Sequence, residues 1–340
     1  MGEISKHLFE QTCTNAPCYH LLHPYDQSCW TSTFPTYKHS LIGSAKFYFI
    51  IHLIQNLARG KKILKKEELI RAGENYVRST IFGTLVSGSC ATFGCIFRWL
   101  LGKKFRYHSY IFLPSTINGV FIFLEPPSRR GLIVNLFCNL VIEYWIRASE
   151  RAGYIRMTKS KQTLMFMIGS AILFYLIRLE GDKEKRTPIF WIYSPEKVRR
   201  KTDESKNTCP HDGLCWKYIM KAVVCYLCNK RGYDSALYAL PAGYIAGLSF
   251  LFKPTLGFAI ASLTAAFKLY STILYEKKIL PEDIPLPELL YCFCQGTLFH
   301  ARFMHADVCP SYVFKLMSTV SNGCADVLYE NMTELIKRDS

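Results

Sequence analysis

The chain has 340 residues, half of them hydrophobic and 14% aromatic, and its 42 Lys and Arg against 26 Asp and Glu give a formal net charge of +16. That apolar content is ample material for burial, while length alone decides little between one large domain and two modest ones, and a charge with no nucleic-acid recognition motif beside it argues against a DNA or RNA partner. A mean hydropathy of +0.08 looks low for a membrane protein, yet the basic residues are gathered between apolar blocks, where anionic lipid headgroups are their natural counter-charge.

Taken in chain order, residues 1–40 form a Cys/His-rich segment with Cys13, Cys18, His20, His23 and Cys29. Zinc is held by four such ligands in a tetrahedron. The spacing fits no standard finger, so zinc, a disulfide or redox pair, and reduced thiols all stay open. Met1 to Glu10 has neither a charged n-region leading into an apolar h-region nor an Arg-rich presequence, so insertion through internal segments is expected.

Apolar blocks then recur at 41–57, 81–101, 110–124, 132–146 and 164–179, and again at 236–252, 256–274 and 289–303. At about 1.5 Å per residue they reach roughly 22 to 31 Å, close to the thickness of a hydrocarbon core. Most are apolar on every face, whereas a surface helix shows only a stripe. The expected fold class is therefore all-α, a polytopic transmembrane helical bundle. Basic clusters such as Lys61, Lys62, Lys65 and Lys66 punctuate the blocks, and the loops richest in Lys and Arg are expected on the cytosolic side.

Residues 181–215 read as a polar, basic linker that separates a first transmembrane half, 41–180, from a second, 216–305, with 306–340 as a tail. The linker and the start of the second half carry another cluster, Cys209, His211, Cys215, Cys225 and Cys228, with the same open choice of zinc or thiol chemistry. The halves echo each other. Leu113-Pro114, Asn118-Gly119, Glu125-Pro126 and Gly131 parallel Leu240-Pro241, Ala246-Gly247, Lys253-Pro254 and Gly257. Two related helical-hairpin halves are expected, because internal repeats are a common way to build a membrane bundle.

Small residues at four-residue spacing, Gly243, Gly247, Gly257, Ala261 and Ala265, form a face for close helix packing, within the chain or between two copies. Charges inside apolar blocks are costly, which makes Glu143 and Lys268 candidates for a pathway through the bundle; the alternative is that they snorkel or form a structural ion pair. No nucleophile elbow, zinc-protease helix, phosphate-binding loop or dinucleotide fingerprint is present, so no enzyme activity and no cofactor beyond zinc is expected.

An ordered set of short matches resembles the transmembrane protein 135 family: the Cys-rich patch through His23-Pro24 and Cys29, then Leu100-Leu101-Gly102-Lys103, Ser128-Arg129-Arg130-Gly131-Leu132, Cys209 to Cys215, Ala246-Gly247-Leu248-Ser249 and Cys309-Pro310-Ser311-Tyr312. The second-half hairpin is more distantly similar to the mitochondrial inner-membrane translocase superfamily. The resemblance implies an integral protein of peroxisomal or mitochondrial membranes that acts in mitochondrial division, organelle morphology and peroxisomal lipid metabolism. It implies membrane lipids and proteins of organelle division as partners, and no catalytic residues. The chain is shorter than the family between Cys228 and Asp234. A transporter or lipid-translocating pathway between the repeats is the alternative reading, and a zinc or thiol enzyme the third.

Overall fold

The computed structural model describes residues 4–24, 26–59, 66–180, 219–233, 235–281 and 284–339. The linker at 181–215, with Cys209, His211 and Cys215, lies outside them. Among the described residues the secondary structure is entirely helical: α1 Lys6–Thr12, α2 Cys18–Leu21, α3 Thr33–Arg59, α4 Lys66–Leu100, α5 Tyr107–Tyr110, α6 Phe112–Asn118, α7 Pro127–Arg151, α8 Lys159–Glu180, α9 Ile219–Arg231, α10 Ala239–Gly247, α11 Leu256–Glu276, α12 Leu286–Met304, α13 Ser311–Val320 and α14 Cys324–Asp339. Four of these helices, α4, α7, α8 and α11, are long and apolar enough to cross a membrane.

The chain divides into two compact units, one of Met1–Arg151 with Pro285–Ser340 and the other of Ala152–Ile284. This division differs from the one drawn at the polar linker. Helix α8, assigned by sequence to the first half, packs on α10 and α11; helix α12, assigned to the second, packs on α6 and α7. The reason is steric fit, since glycines and polar contacts lock each of these helices to its neighbours.

Within the first unit, α3 and α4 pack along a seam of small residues. Ser44 is fully buried, and a Cβ on Gly83 would lie 2.8 Å from its hydroxyl. Ser40 and Ser87 hydrogen-bond across the seam at 3.1 Å. Lipid offers helices no hydrophobic reward for association, so this close approach has to supply the dispersion and polar contact instead. Helix α4 begins well before its apolar block, in a polar stretch bridged by Arg71–Glu68 at 2.9 Å and Arg78–Glu74 at 2.6 Å. It stops where Gly102 and Lys103 adopt positive φ and the Lys103 amide returns to the Arg98 carbonyl at 2.8 Å, a left-handed cap that glycine accommodates without strain.

The blocks at 110–124 and 236–252, expected as continuous helices, are each divided. The first is α5, α6 and a 3-10 turn at Gly119–Leu124; the second is a 3-10 turn, α10 and another 3-10 turn at Leu248–Phe252. At the first break the cause is contact with helices distant in sequence. A Cβ on Gly119 would lie 2.8 Å from Cys292 Cα, and the Asn118 amide donates to the Val86 carbonyl at 2.7 Å, so the backbone follows its neighbours rather than its own helical ladder.

In the second unit, Gly243 and Gly247 face α8 of the same chain: a Cβ on either would lie 2.9 Å from Ala171 Cα or 2.8 Å from Met167 Cα. Ala265 is buried against Leu173 and Leu176 of α8, Ala261 is half-buried, and Gly257 is exposed. Phe166 and Phe250 stack at 4.2 Å. Replacing Gly247 by leucine is expected to prise α10 from α8 and cost about 1–3 kcal/mol, as overpacking generally does. The check is the thermal midpoint of the purified protein in detergent. An unchanged midpoint would mean that this contact is not close.

Candidate functional site

A cavity of about 230 Å³ runs through the first unit between α3, α4, α7, α12, α13 and α14. Its wall takes in Thr36 through Gln55 of α3 and Ser79 through Ala91 of α4. On α3 alone that is a reach of about 28 Å at about 1.5 Å per residue, so the space is a long slot rather than a sphere. Phe47, Phe82, Val86, Phe137, Tyr291 and Phe299 make most of it apolar.

One end is polar. Gln55, Ser79, Glu125 and Arg129 all line it, and Arg129 ties them together. Its Nη2 donates to Gln55 Oε1 at 2.7 Å and its Nη1 to Ser79 Oγ at 3.0 Å, while Nη1 also lies 3.2 Å from His52 Nε2. The same Nη1 stands 3.8 Å from Glu125 Oε2, on a carboxylate only 2% exposed. That oxygen accepts no hydrogen bond among the described residues. Arg129 and Arg130 occupy the first turn of α7, the end where the helix dipole disfavours cations. Glu125 and Glu288, the latter 3.5 Å from Arg130, offset that field. The slot thus combines a greasy barrel with a fixed guanidinium and a carboxylate oxygen in want of a donor.

The N-terminal segment builds a second site. Cys18 Sγ, one ring nitrogen of His23, Cys29 Sγ and Cys95 Sγ all lie within 4.8 Å of one another. Cys18 opens α2, His23 and Cys29 lie in the following loop, and Cys95 projects from α4. The His23 Nδ1 proton donates to the Asp26 carbonyl at 2.8 Å, because a carbonyl can only accept. Nε2 is thereby turned to the sulfurs and stands 3.3 Å from Cys29. The Cys95 hydrogen bond pulls the Cys18 thiol from 9.0 down to about 4, against its burial, with His23 and the Arg98 charge adding to the effect. Burial pulls the His23 imidazole down, but its bonds to Cys18 and the Asp26 carbonyl leave it above its usual 6.5. Burial and the Cys18 charge push the Cys29 thiol up.

Of the five candidate ligands in this segment, Cys13 and His20 stand outside the cluster. Cys13 is fully buried beside Thr12, with its Sγ 3.4 Å from Thr12 Oγ1, and His20 lies against Tyr19. Cys95, which lies inside the apolar block at 81–101, takes a place in it instead. In the second unit Cys225 and Cys228 are buried on α9, Cys228 among Val224, Tyr238 and Ala242. Glu143 is bonded by Arg147 one turn on, at 2.6 and 3.0 Å, the ion-pair alternative to a pathway role. Lys268 lies half-buried in α11 of the other unit. Glu125 and Arg129 carried one signal in sequence: a carboxylate ending an apolar block, followed four residues later by an arginine.

No solved structure matches the chain. Residues 15–149 match the family model of the N-terminal cysteine-rich region of Transmembrane protein 135. The match takes in all four residues of the thiol cluster and the polar end of the slot, and ends before the second-half hairpin, whose expected likeness to the translocases no comparison shows. Over those residues, about two-fifths of the chain, the sequence is similar to the cysteine-rich region of the transmembrane protein 135 family.

Proposed function

We propose that the chain is a multi-pass protein of peroxisomal or mitochondrial membranes that holds the acyl chain of a single lipid in the slot of its first unit. In this reading lipid handling at that slot is its part in peroxisomal lipid metabolism and, through membrane composition, in mitochondrial division. The reading rests on one observation above the others: an elongated apolar space ending at a buried carboxylate oxygen with no hydrogen bond, beside an arginine already fixed in place. A ligand that fits gives a hydrogen bond to Glu125 and accepts one from Arg129. A hydroxyl or a protonated carboxylic acid on a long hydrocarbon does both. No chemical step is assigned to any residue, and proteins of organelle division are the partners this reading expects at the basic segment around Lys66.

The full chain purified in mild detergent is expected to retain a long-chain lipid at close to one per protein, identified by mass spectrometry of an organic extract. Val86, 7% exposed on the slot wall, offers the test. Val86→Trp fills the space and is expected to reduce retained lipid at least tenfold while helix content by circular dichroism stays the same. Equal retention by the variant would end this reading.

A second reading, a lipid or metabolite pathway lined by broken-helix hairpins, is favoured by the matching order of short helix, 3-10 turn, proline and long helix at 112–151 and 239–276. Broken helices at corresponding positions are frequent where transporters bind their cargo. Movement of a labelled fatty acid across liposomes by the reconstituted chain, rather than retention alone, separates this pathway from a holding site.

A further inference from the structure

The geometry points to a structural zinc site formed by Cys18, His23, Cys29 and Cys95, which staples the N-terminal segment to α4. Four ligand atoms within 4.8 Å of one another enclose a point no more than about 2.9 Å from each. Zinc with bonds of about 2.3 Å to sulfur and 2.0 Å to nitrogen needs ligand separations of about 3.8 Å, so side-chain movements well under an ångström close the tetrahedron. Three sulfurs and one imidazole form a closed set with no position left for water. That is the composition of sites which hold a fold together rather than catalyse.

Two further features are those a zinc ligand set requires. The imidazole is oriented by an outer partner, since its Nδ1 proton is engaged by the Asp26 carbonyl, which leaves the Nε2 lone pair for the metal. The charge also has a counterweight. Zn²⁺ held by three thiolates and a neutral imidazole leaves the centre at a net −1, and Arg98 stands one turn beyond Cys95 on α4, acting on the Cys18 sulfur.

A staple is needed here for a physical reason. Helix α2 is a single turn and α1 has seven residues, too short to persist without tertiary support. The segment's other anchors are the Ile4 amide donating to the Met304 carbonyl at 2.8 Å, the Tyr110 hydroxyl to the Leu21 carbonyl at 2.9 Å, the Phe105 amide to the Thr14 carbonyl at 2.9 Å, and apolar residues such as Phe9, Leu21 and Leu22 buried in the main core, Leu22 against Gly94. Gly94 and Cys95 are adjacent, so metal and apolar contact fasten the same point. The site is independent of what occupies the slot.

The test uses the full chain, purified through a tag without histidines from cells supplied with zinc, with metals quantified by plasma mass spectrometry. One zinc per chain is expected, falling below a tenth in Cys95→Ser and in Cys18→Ser and unchanged in Cys13→Ala, whose thiol lies outside the cluster. Because the serine variants can fail to fold, the wild-type protein gives a second reading. Cys29 is exposed, yet its alkylation by iodoacetamide is expected to be at least tenfold slower before a zinc chelator is added than after. Four outcomes would overturn the proposal: less than a tenth of a zinc per chain, iron or copper in its place, a disulfide joining any two of the three cysteines, or Cys29 alkylation indifferent to the chelator.

Discussion

Arg129→Ala is expected to destabilise the protein by about 3–5 kcal/mol, the cost of leaving a buried charge without its partner. Glu125 is 2% exposed and the guanidinium is its ion-pair partner, at 3.8 Å. Removing the arginine also takes away the N–H groups that Gln55 Oε1 and the Ser79 hydroxyl accept. Lysine in its place keeps the charge but cannot fork between two acceptors, so Arg129→Lys is expected to recover only part of the loss. Glu125→Gln/Arg129→Met removes both charges and is expected to be milder than Arg129→Ala alone. Urea unfolding in detergent, followed by tryptophan fluorescence across the four proteins, measures the order. If Arg129→Ala unfolds at the wild-type midpoint, the carboxylate is not held by the guanidinium.

Gln295→Leu is the second large effect, expected at about 2–4 kcal/mol from buried groups left without hydrogen bonds. Gln295 and Asn118 are both fully buried. The glutamine amide donates to the Ser115 carbonyl at 2.7 Å and to the Asn118 side-chain oxygen, and the Asn118 amide donates to the Val86 carbonyl at 2.7 Å. One chain of hydrogen bonds thus joins α12, α6 and α4 across the first unit. Leucine matches glutamine closely in size, so the loss reads out polarity rather than volume. Asn118→Leu/Gln295→Leu is expected to cost less than the sum of the two single changes, because each single change already orphans the other partner. Thermal midpoints of the three variants give the coupling, and strict additivity would mean that the two side chains do not share a bond.

Much of the helical architecture was legible in periodicity and length. The blocks at 81–101, 132–146, 164–179 and 256–274 coincide, to within a residue at Leu101, with stretches of the four helices able to cross a membrane, because fifteen or more apolar residues among acyl chains leave the backbone no other way to satisfy its hydrogen bonds. What failed were features decided by a distant neighbour. Nothing near Asn118-Gly119 reveals that Cys292 presses against the glycine, so the break there was invisible. The polar start of α4 was missed because Lys66 to Thr80 has no apolar run, and helicity there is supported by charge pairs instead.

The site divides in the same way. Cys18, His23 and Cys29 lie within twelve residues and were legible as a group. Cys95 was not, because in an apolar run a thiol that joins such a cluster looks like any small buried residue. Glu143 stood out as a charge in an apolar block, while its partner Arg147 sat one turn away in plain view. The slot was the least legible of all, since it is the space six helices leave between them.

The first unit is written in two pieces, with the whole of Ala152–Ile284 read out between them. A ribosome therefore delivers α3, α4, α6 and α7 long before α12, whose Gln295 supplies the donor that Asn118 and Ser115 await. Until translation reaches that point the nascent chain exposes unpaired amide groups and an open furrow to its surroundings. A chaperone or a lipid molecule has a natural opportunity to enter there, and premature termination anywhere before Pro285 strands the early helices half-assembled, a substrate for membrane quality control.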